Sequence, residues 1–117
     1  DYDEQIAIIL RVTLEKTVFS PGERLNVTIA VETNIPLNFK RFYHLPKVLE
    51  IAYAPVFPKT FKKGDKIVQK ISFLAPSGQV PSEYHLIFEF IFEKDDTSSI
   101  KITTVPLLSL YTSDAAD

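Results

Sequence analysis

The sequence predicts an all-β protein, and more specifically an antiparallel immunoglobulin-like β-sandwich of about seven strands. Apolar and polar residues alternate along several segments, as they do in strands that bury one face. Turn residues separate these segments at fairly regular spacing, and no segment has the apolar spacing of a helix. The chain has 117 residues, 45% of them hydrophobic, which suits a single domain with one core.

The first two strands are predicted on either side of a proline-glycine turn. Residues 6–15 form the first strand, and Ser20-Pro21-Gly22-Glu23 forms the turn, because proline presets φ and glycine tolerates a positive φ. The second strand covers residues 24–32. The residues assigned to the buried face are Ile6, Ile8, Leu10, Val12 and Leu14 in the first strand and Leu25, Val27, Ile29 and Val31 in the second.

The middle of the chain is harder to interpret. Residues 34–47 contain two prolines and have no clean period, so they are predicted to form a long connection, with a short strand at most at Leu37–Phe39. Strand character resumes in residues 48–56 and stops at Pro55 and Pro58. A turn at residues 63–65 then leads into a strand at residues 66–74.

The most apolar strand is predicted at residues 84–93, with Tyr84, Leu86, Phe88, Phe90 and Phe92 facing inward. A polar turn at residues 95–99 leads to a strand at residues 100–105, and residues 107–111 add an edge strand. The predicted domain therefore covers residues 6–111. Residues 1–5 are expected to be a linker from a missing N-terminal segment, and residues 112–117 a disordered tail.

Composition and motifs argue against catalysis. The chain has no cysteine, which excludes a disulfide, a cysteine-ligated zinc site and a thiol nucleophile. His44 and His85 lie far apart in sequence, and no serine, glycine-rich or acidic motif has catalytic or metal-ligand spacing. We therefore expect no enzyme, metal or cofactor. The net charge of −2 also argues against nucleic acid as the main partner.

A basic, aromatic segment is the candidate binding site. Residues 34–63 contain six basic residues and one acidic residue, whereas the segments on both sides are net acidic. Aromatic residues and arginine are typical of recognition surfaces. The candidate binding residues are Phe39, Lys40, Arg41, Phe42, Tyr43 and Lys47. In the alternative interpretation, the aromatic residues fill one end of the sandwich and the lysines keep its rim soluble.

Two further features concern the surface. Asn26-Val27-Thr28 is an N-glycosylation acceptor, which an exported protein would use at Asn26. Apolar residues also occur on strand faces assigned to solvent, at Ala7, Ile9, Ile87 and Ile91. If the two strands are close, these four residues form one patch that supports a weak homodimer. Otherwise, the chain's own segment 107–111 covers them.

The corner Val18-Phe19-Ser20-Pro21-Gly22-Glu23 and the alternating strand after it resemble those of macroglobulin-type, adhesion-related and arrestin-like sandwich domains. Residues 70–90 are similar to cell-surface immunoglobulin-like accessory modules, although the cysteines and tryptophan of immunoglobulins are absent. The resemblance implies a non-catalytic, extracytoplasmic module that binds protein or glycan at a cell surface. Such a module reaches the membrane only through a missing anchor, as in a surface filament or envelope assembly. The alternatives are a cytoplasmic arrestin-like adaptor and an accessory domain of a glycan-active enzyme.

Overall fold

A computed structural model describes residues 5–74, 83–95, 98–104 and, for the backbone, 108–112. These residues form an all-β sandwich, as the sequence predicts. The described part of the chain contains ten strands: β1 (Ile8–Leu14), β2 (Val18–Phe19), β3 (Arg24–Thr33), β4 (Leu37–Leu45), β5 (Glu50–Tyr53), β6 (Thr60–Phe61), β7 (Lys66–Leu74), β8 (Glu83–Lys94), β9 (Ser98–Thr103) and β10 (Leu108–Thr112).

The strands form two sheets. Sheet A has the order β1-β3-β7-β5, and sheet B has the order β2-β10-β8-β4-β6. Strand β9 also belongs to sheet B, where it pairs with the C-terminal half of β8. Neighbouring strands are antiparallel, except that β10 runs parallel to the two-residue strand β2. Consecutive strands often lie in different sheets, so the chain crosses between the layers several times.

The hydrophobic core lies between the two sheets, where alternate residues of each strand meet. Strand β3 supplies the four residues that its alternation predicts, and all four are buried. Strand β8 supplies Leu86, Phe88, Phe90 and Phe92, also as predicted, while Tyr84 is half-buried. The inward residues of the edge strand β1 are only half-buried, and Ile6 is exposed. Position at a sheet edge therefore limits how far an inward residue is buried.

Strand β4 corrects the prediction for residues 34–47. The segment is not a long connection, because residues 37–45 form a nine-residue strand that pairs with β8 in sheet B. Its pairing with β8 shifts by one residue between Phe39 and Arg41, which is a β-bulge. A bulge inserts an extra residue and so breaks the two-residue period that marks a strand in the sequence. The loss of the two-residue period is therefore the reason why the sequence did not predict β4, although β4 pairs with β8.

Two glycine turns of the same design precede β3 and β7. In the first, the Glu23 N–H donates to the Ser20 carbonyl at 3.0 Å, and the Ser20 N–H donates to the Glu23 carboxylate at 2.8 Å. In the second, Asp65 makes the equivalent two bonds with Lys62, each at 3.0 Å. The strand before each turn ends in a buried phenylalanine, Phe19 or Phe61. These two-residue strands, β2 and β6, help to raise the strand number above the predicted seven.

The ends of the predicted domain are only partly described. The Asn34 side chain donates to the Gln5 carbonyl at 2.6 Å and accepts from the Ala7 N–H at 2.8 Å, so residues 5–7 continue the path of β1 along β3. The predicted linker residues 1–4 and tail residues 113–117 lie outside the described residues. The final strand, β10, is not at an edge as predicted, because it lies between β2 and β8.

Candidate functional site

The strand β4 divides the predicted binding residues between the two faces of sheet B. Phe39 and Phe42 pack against the core, with Phe39 in contact with Phe57 at 5.1 Å between ring centres and Phe42 stacked on Phe88 at 5.6 Å. These two phenylalanines therefore fill the interior. Lys40, Arg41 and Tyr43 are exposed on the strand, and Lys47 is exposed just after it.

Strands β8 and β9 complete an outer surface beside the exposed residues of β4. Across from β4, Tyr43 is paired with Glu89, Leu45 with Ile87, and Arg41 with Ile91. Strand β9 extends two of these rows, since Thr103 is paired with Glu89 and Lys101 with Ile91. We call this surface the β4–β8–β9 face and define it by the residues Arg41, Tyr43, Leu45, Ile87, Glu89, Ile91, Lys101 and Thr103.

The four residues predicted to form a dimer patch do not lie together. Ala7 and Ile9 are on or next to β1 in sheet A, whereas Ile87 and Ile91 are half-buried on β8 in the middle of sheet B. The expected single patch is therefore wrong. The described part of the predicted covering segment 107–111, residues 108–111, does not lie over the face either, because the backbone of β10 pairs with β8 from residue 83 to residue 86 within the sheet. Ile87 and Ile91 instead belong to the β4–β8–β9 face.

Some charged residues on and beside the β4–β8–β9 face form ion pairs with their neighbours, and others do not. The carboxylate of the face's acidic residue Glu89 is 3.4 Å from the Lys101 ammonium, and beyond the face the carboxylate of Glu93 is 3.6 Å from the Lys40 ammonium. Arg41 lies over the Tyr43 ring, 5.9 Å from its centre. Among the described residues, neither Arg41 nor Lys47 has an acidic partner within ion-pair distance. Arg41 on the face and Lys47 beside it are therefore available to an acidic ligand.

A concavity of about 330 Å³ lies at one end of this face, and it is lined by Tyr43, His44, Leu45, Lys47, Ile87, Glu89 and Thr103. Its wall combines an aromatic ring and two aliphatic side chains with a carboxylate, a hydroxyl and an ammonium group. This mixture is typical of binding sites, in which apolar contacts supply affinity and a few polar groups orient the ligand. The concavity is partly open to solvent, so it suits part of a larger ligand better than a small molecule enclosed on all sides.

His44 approaches the concavity from the inner side of β4. Its ring packs edge-on against Phe73, 4.9 Å from centre to centre, and its Nδ1 atom is buried without a hydrogen-bond partner among the described residues. Burial lowers the pKa of His44 below its usual value, although a hydrogen bond with the backbone of Pro46 acts in the opposite direction. His44 is therefore mainly a packing residue beside the site.

The remaining candidate residues lie elsewhere. His85 is exposed on β8, with its Nε2 atom 3.5 Å from Glu83. Asn26, the predicted glycosylation site, lies on the outer side of sheet A, where its Nδ2 donates to Glu15 at 3.0 Å and its Oδ1 accepts from Ser72 at 2.8 Å. A glycan at Asn26 would have to coexist with or replace the bond to Glu15, and glycosylation stays a prediction. Within the described residues, no cluster of three or more His, Asp or Glu side chains is placed to hold a metal ion.

Several residues of the site were not predicted from the sequence. Leu45, Glu89, Lys101 and Thr103 belong to the face because of cross-strand pairing, which depends on knowing that β4 and β9 flank β8. Glu89 occupies a polar position in the apolar–polar alternation of β8, and this pattern could have placed it on the outer face of the sheet. No comparable signal marks Leu45, because the bulge disguises its strand.

Comparison with known proteins gives no family. A scan of the chain against protein families finds no match, and a search of curated proteins finds no significant similarity. Within the described residues, the chain has no helix that is long and apolar enough to cross a membrane.

Proposed function

We propose that this protein is a non-catalytic module that binds a protein or glycan at a cell surface, and that the β4–β8–β9 face is its binding surface. The observation that carries the proposal is the exposure of Tyr43 and Leu45, each 50% accessible, beside Ile87 on one sheet face. A solvated sheet face is usually polar, and apolar residues grouped on one are typical of an interaction site.

The chemistry of the face favours an acidic partner that also has apolar groups. Tyr43 and Arg41 are of the residue types that contribute most to binding energy in interfaces. Arg41 and Lys47 lack acidic partners among the described residues, whereas Glu89 is already paired with Lys101. The surface can therefore attract carboxylate or other acidic groups and hold the apolar part of the ligand against Tyr43 and Leu45.

A binding role fits the concavity better than catalysis. Enzymes need an acid, base or nucleophile placed to act on a substrate in a pocket. Besides the exposed phenol of Tyr43, the titratable groups here are Lys47, Glu89, which is held by Lys101, and His44, whose Nδ1 atom is buried against the core. The extracytoplasmic location, with tethering to a filament or envelope assembly as one form, remains part of the proposal and follows from the resemblance of the turn and strand pattern.

The binding surface can be tested with a matched pair of tyrosine variants. Tyr43→Ala should weaken binding to cell envelopes, or to whichever acidic glycan of a glycan panel the protein binds, by about tenfold or more. Tyr53→Ala is the control, because Tyr53 is equally exposed but lies in sheet A. Equal binding by the two variants would exclude the β4–β8–β9 face.

Location separates the surface module from the cytoplasmic adaptor. We expect an antibody against this domain to label intact cells that express the full-length protein, and external protease to degrade the domain. Protection from protease until the cells are lysed would instead favour the adaptor.

A further inference from the structure

We infer that the concavity on the β4–β8–β9 face binds a carboxylated sugar residue, such as a uronic acid, within a longer glycan chain. This inference rests on the proposed function and names the chemical class of its ligand. The volume of about 330 Å³ is near the lower limit of the range of roughly 300–1,000 Å³ that is usual for small-ligand sites. The concavity therefore suits a single unit of a chain whose remaining units stay in solvent.

Glu89 gives the concavity a strong hydrogen-bond acceptor. Its Oε2 atom is 3.4 Å from the ammonium of Lys101, which does not line the concavity. Its Oε1 atom has no partner among the described residues, and an ionised carboxylate can only accept. The hydroxyl of Thr103, which is paired with Glu89 across β8 and β9, can both donate and accept. A ligand in contact with Glu89 must therefore donate a hydrogen bond, as a sugar hydroxyl does.

Lys47 brings the opposite charge to the same concavity. It lies in a turn in which the Leu49 N–H donates to the Pro46 carbonyl at 3.3 Å, and burial of Leu49 in the core holds the turn in place. No acidic side chain of the described residues lies within ion-pair distance of Lys47. Its ammonium has three donors and no acceptor, so it favours a carboxylate. The ligand that satisfies the concavity thus carries both hydroxyl and carboxylate groups.

The apolar part of the wall suits the C–H face of a sugar ring. Tyr43 and Leu45 are half exposed on β4, and Ile87 lies across from Leu45 on β8. The C–H groups of a sugar ring carry a slight positive charge, which is attracted to the negative face of an aromatic ring. A carboxylated sugar therefore combines in one unit the three kinds of contact that the concavity offers.

An acidic peptide fits the concavity less well. A peptide commonly binds a sheet by adding a strand to a free edge, where backbone groups are unpaired. Here β8 lies between β4 and β9 and pairs with both, so the middle of the face has no free edge. The ligand is then recognised by side chains alone, and the carboxylates of an acidic peptide cannot donate to Glu89.

Matched ligands provide the first test. Oligosaccharides of galacturonate, oligosaccharides that contain glucuronate, and sialyllactose are the probes, and calorimetry measures their binding to the unmodified protein. Methyl esterification removes the negative charge but keeps the ring and its hydroxyls. We expect it to weaken binding of the best probe by about tenfold or more. Poly-glutamate, which has carboxylates without hydroxyls, should also bind more weakly than that probe.

The variant Glu89→Gln provides the second test, because a sugar and a ligand held by charge alone respond to it in opposite directions. The neutral amide is a poorer acceptor, so the sugar should bind about fivefold more weakly. A ligand held by charge alone should bind more tightly, because a repulsive charge is lost and Lys101 is released. Glu93→Gln is the control, since it removes the same charge from β8 outside the concavity. Thr103→Val should also weaken binding of the sugar.

The outcomes separate this inference from the proposed function. Tighter binding by Glu89→Gln, equal binding of the methyl ester, or no binding of any of the three probes overturns the inference. Poly-glutamate that binds best and is lost in Tyr43→Ala also overturns it, but leaves the β4–β8–β9 face as the binding surface. Equal binding of the best probe by Tyr43→Ala and Tyr53→Ala overturns both.

Discussion

At the scale of single residues, His44 shows how strand alternation can bury a titratable group beside an exposed site. Its neighbours Tyr43 and Leu45 face solvent, so the two-residue period of β4 directs the imidazole toward Phe73 and the core. The Nδ1 atom is left without a hydrogen-bond partner among the described residues. A charged imidazole is poorly solvated there, and the folded protein consequently favours the neutral form.

The stability of the protein should therefore fall as the pH is lowered through the titration range of histidine. The pKa of His44 is lowered in the folded state, so the unfolded chain takes up a proton first, near pH 6.5. The free energy of unfolding is then highest above that pH and decreases until the pH passes below the folded pKa. Urea denaturation between about pH 7.5 and 5.5 measures this decrease.

His44→Gln should remove most of the pH dependence in that range, whereas His85→Gln, at an exposed position, should keep it. The pKa of Glu23 is lowered by its bonds to Lys16 and the Ser20 backbone, so its contribution to stability is lost as the pH falls from the usual value of glutamate toward the folded pKa, below the range of this measurement. A slope that persists in His44→Gln would contradict this account.

At the scale of elements, the strands that sequence could predict are those with an unbroken two-residue period. Strands β3 and β8 keep the period along their length, and their buried residues match the prediction. Strand β4 loses the period at its bulge and was missed, although it lies beside β8 in the centre of sheet B. The bulge also leaves the adjacent Lys40 and Arg41 both exposed, so the feature that hid the strand helps to build the site.

The two similar glycine turns, at Gly22 and Gly64, allow a quantitative test of how much each turn depends on its glycine. Gly22 and Gly64 have φ values of 79° and 82°, and a Cβ atom at either position would meet nothing within 4 Å. The cost of alanine is therefore that of the backbone conformation alone, about 1–2 kcal/mol. Gly22→Ala and Gly64→Ala should each lower the free energy of unfolding by a similar amount in urea denaturation. Asparagine at either position should cost less, because it adopts a positive φ more readily. Alanine variants as stable as the original would show that these turns adopt another conformation.

At the scale of the whole molecule, the sequence predicted the sandwich, and it named a candidate binding segment without showing how the residues of that segment are arranged. A stretch of sequence cannot show which of its aromatic residues face the core, and here Phe39 and Phe42 face inward while Tyr43 faces outward. The site also takes Glu89 and Thr103 from strands that are distant in sequence. Sheet order decides which segments become neighbours, and alternation within one strand carries no information about that order.

The sheet order also distributes charge over the molecule and leads to a final prediction. The chain has a net charge of −2, yet Arg41 on the β4–β8–β9 face and Lys47 at its margin have no acidic partner in the described part of the chain. Reversing both with Arg41→Glu and Lys47→Glu should weaken binding of an acidic partner by about tenfold or more at low salt, and less as salt screens the charges. Lys40 is better left unchanged, because its reversal would place a second acid beside Glu93 and destabilise the sheet.

Arg11→Glu with Lys70→Glu is the matched control for this experiment. Both residues are exposed on sheet A, and the double reversal changes the net charge by the same amount as the reversal on the β4–β8–β9 face. Titration against the same immobilised acidic ligand at two salt concentrations separates a local effect from a general one. Local recognition predicts that the control binds almost as well as the original protein, because its altered charges point away from the ligand. If the two double variants lose affinity equally, net charge rather than this face governs the attraction, and Arg41 and Lys47 have no special role in binding.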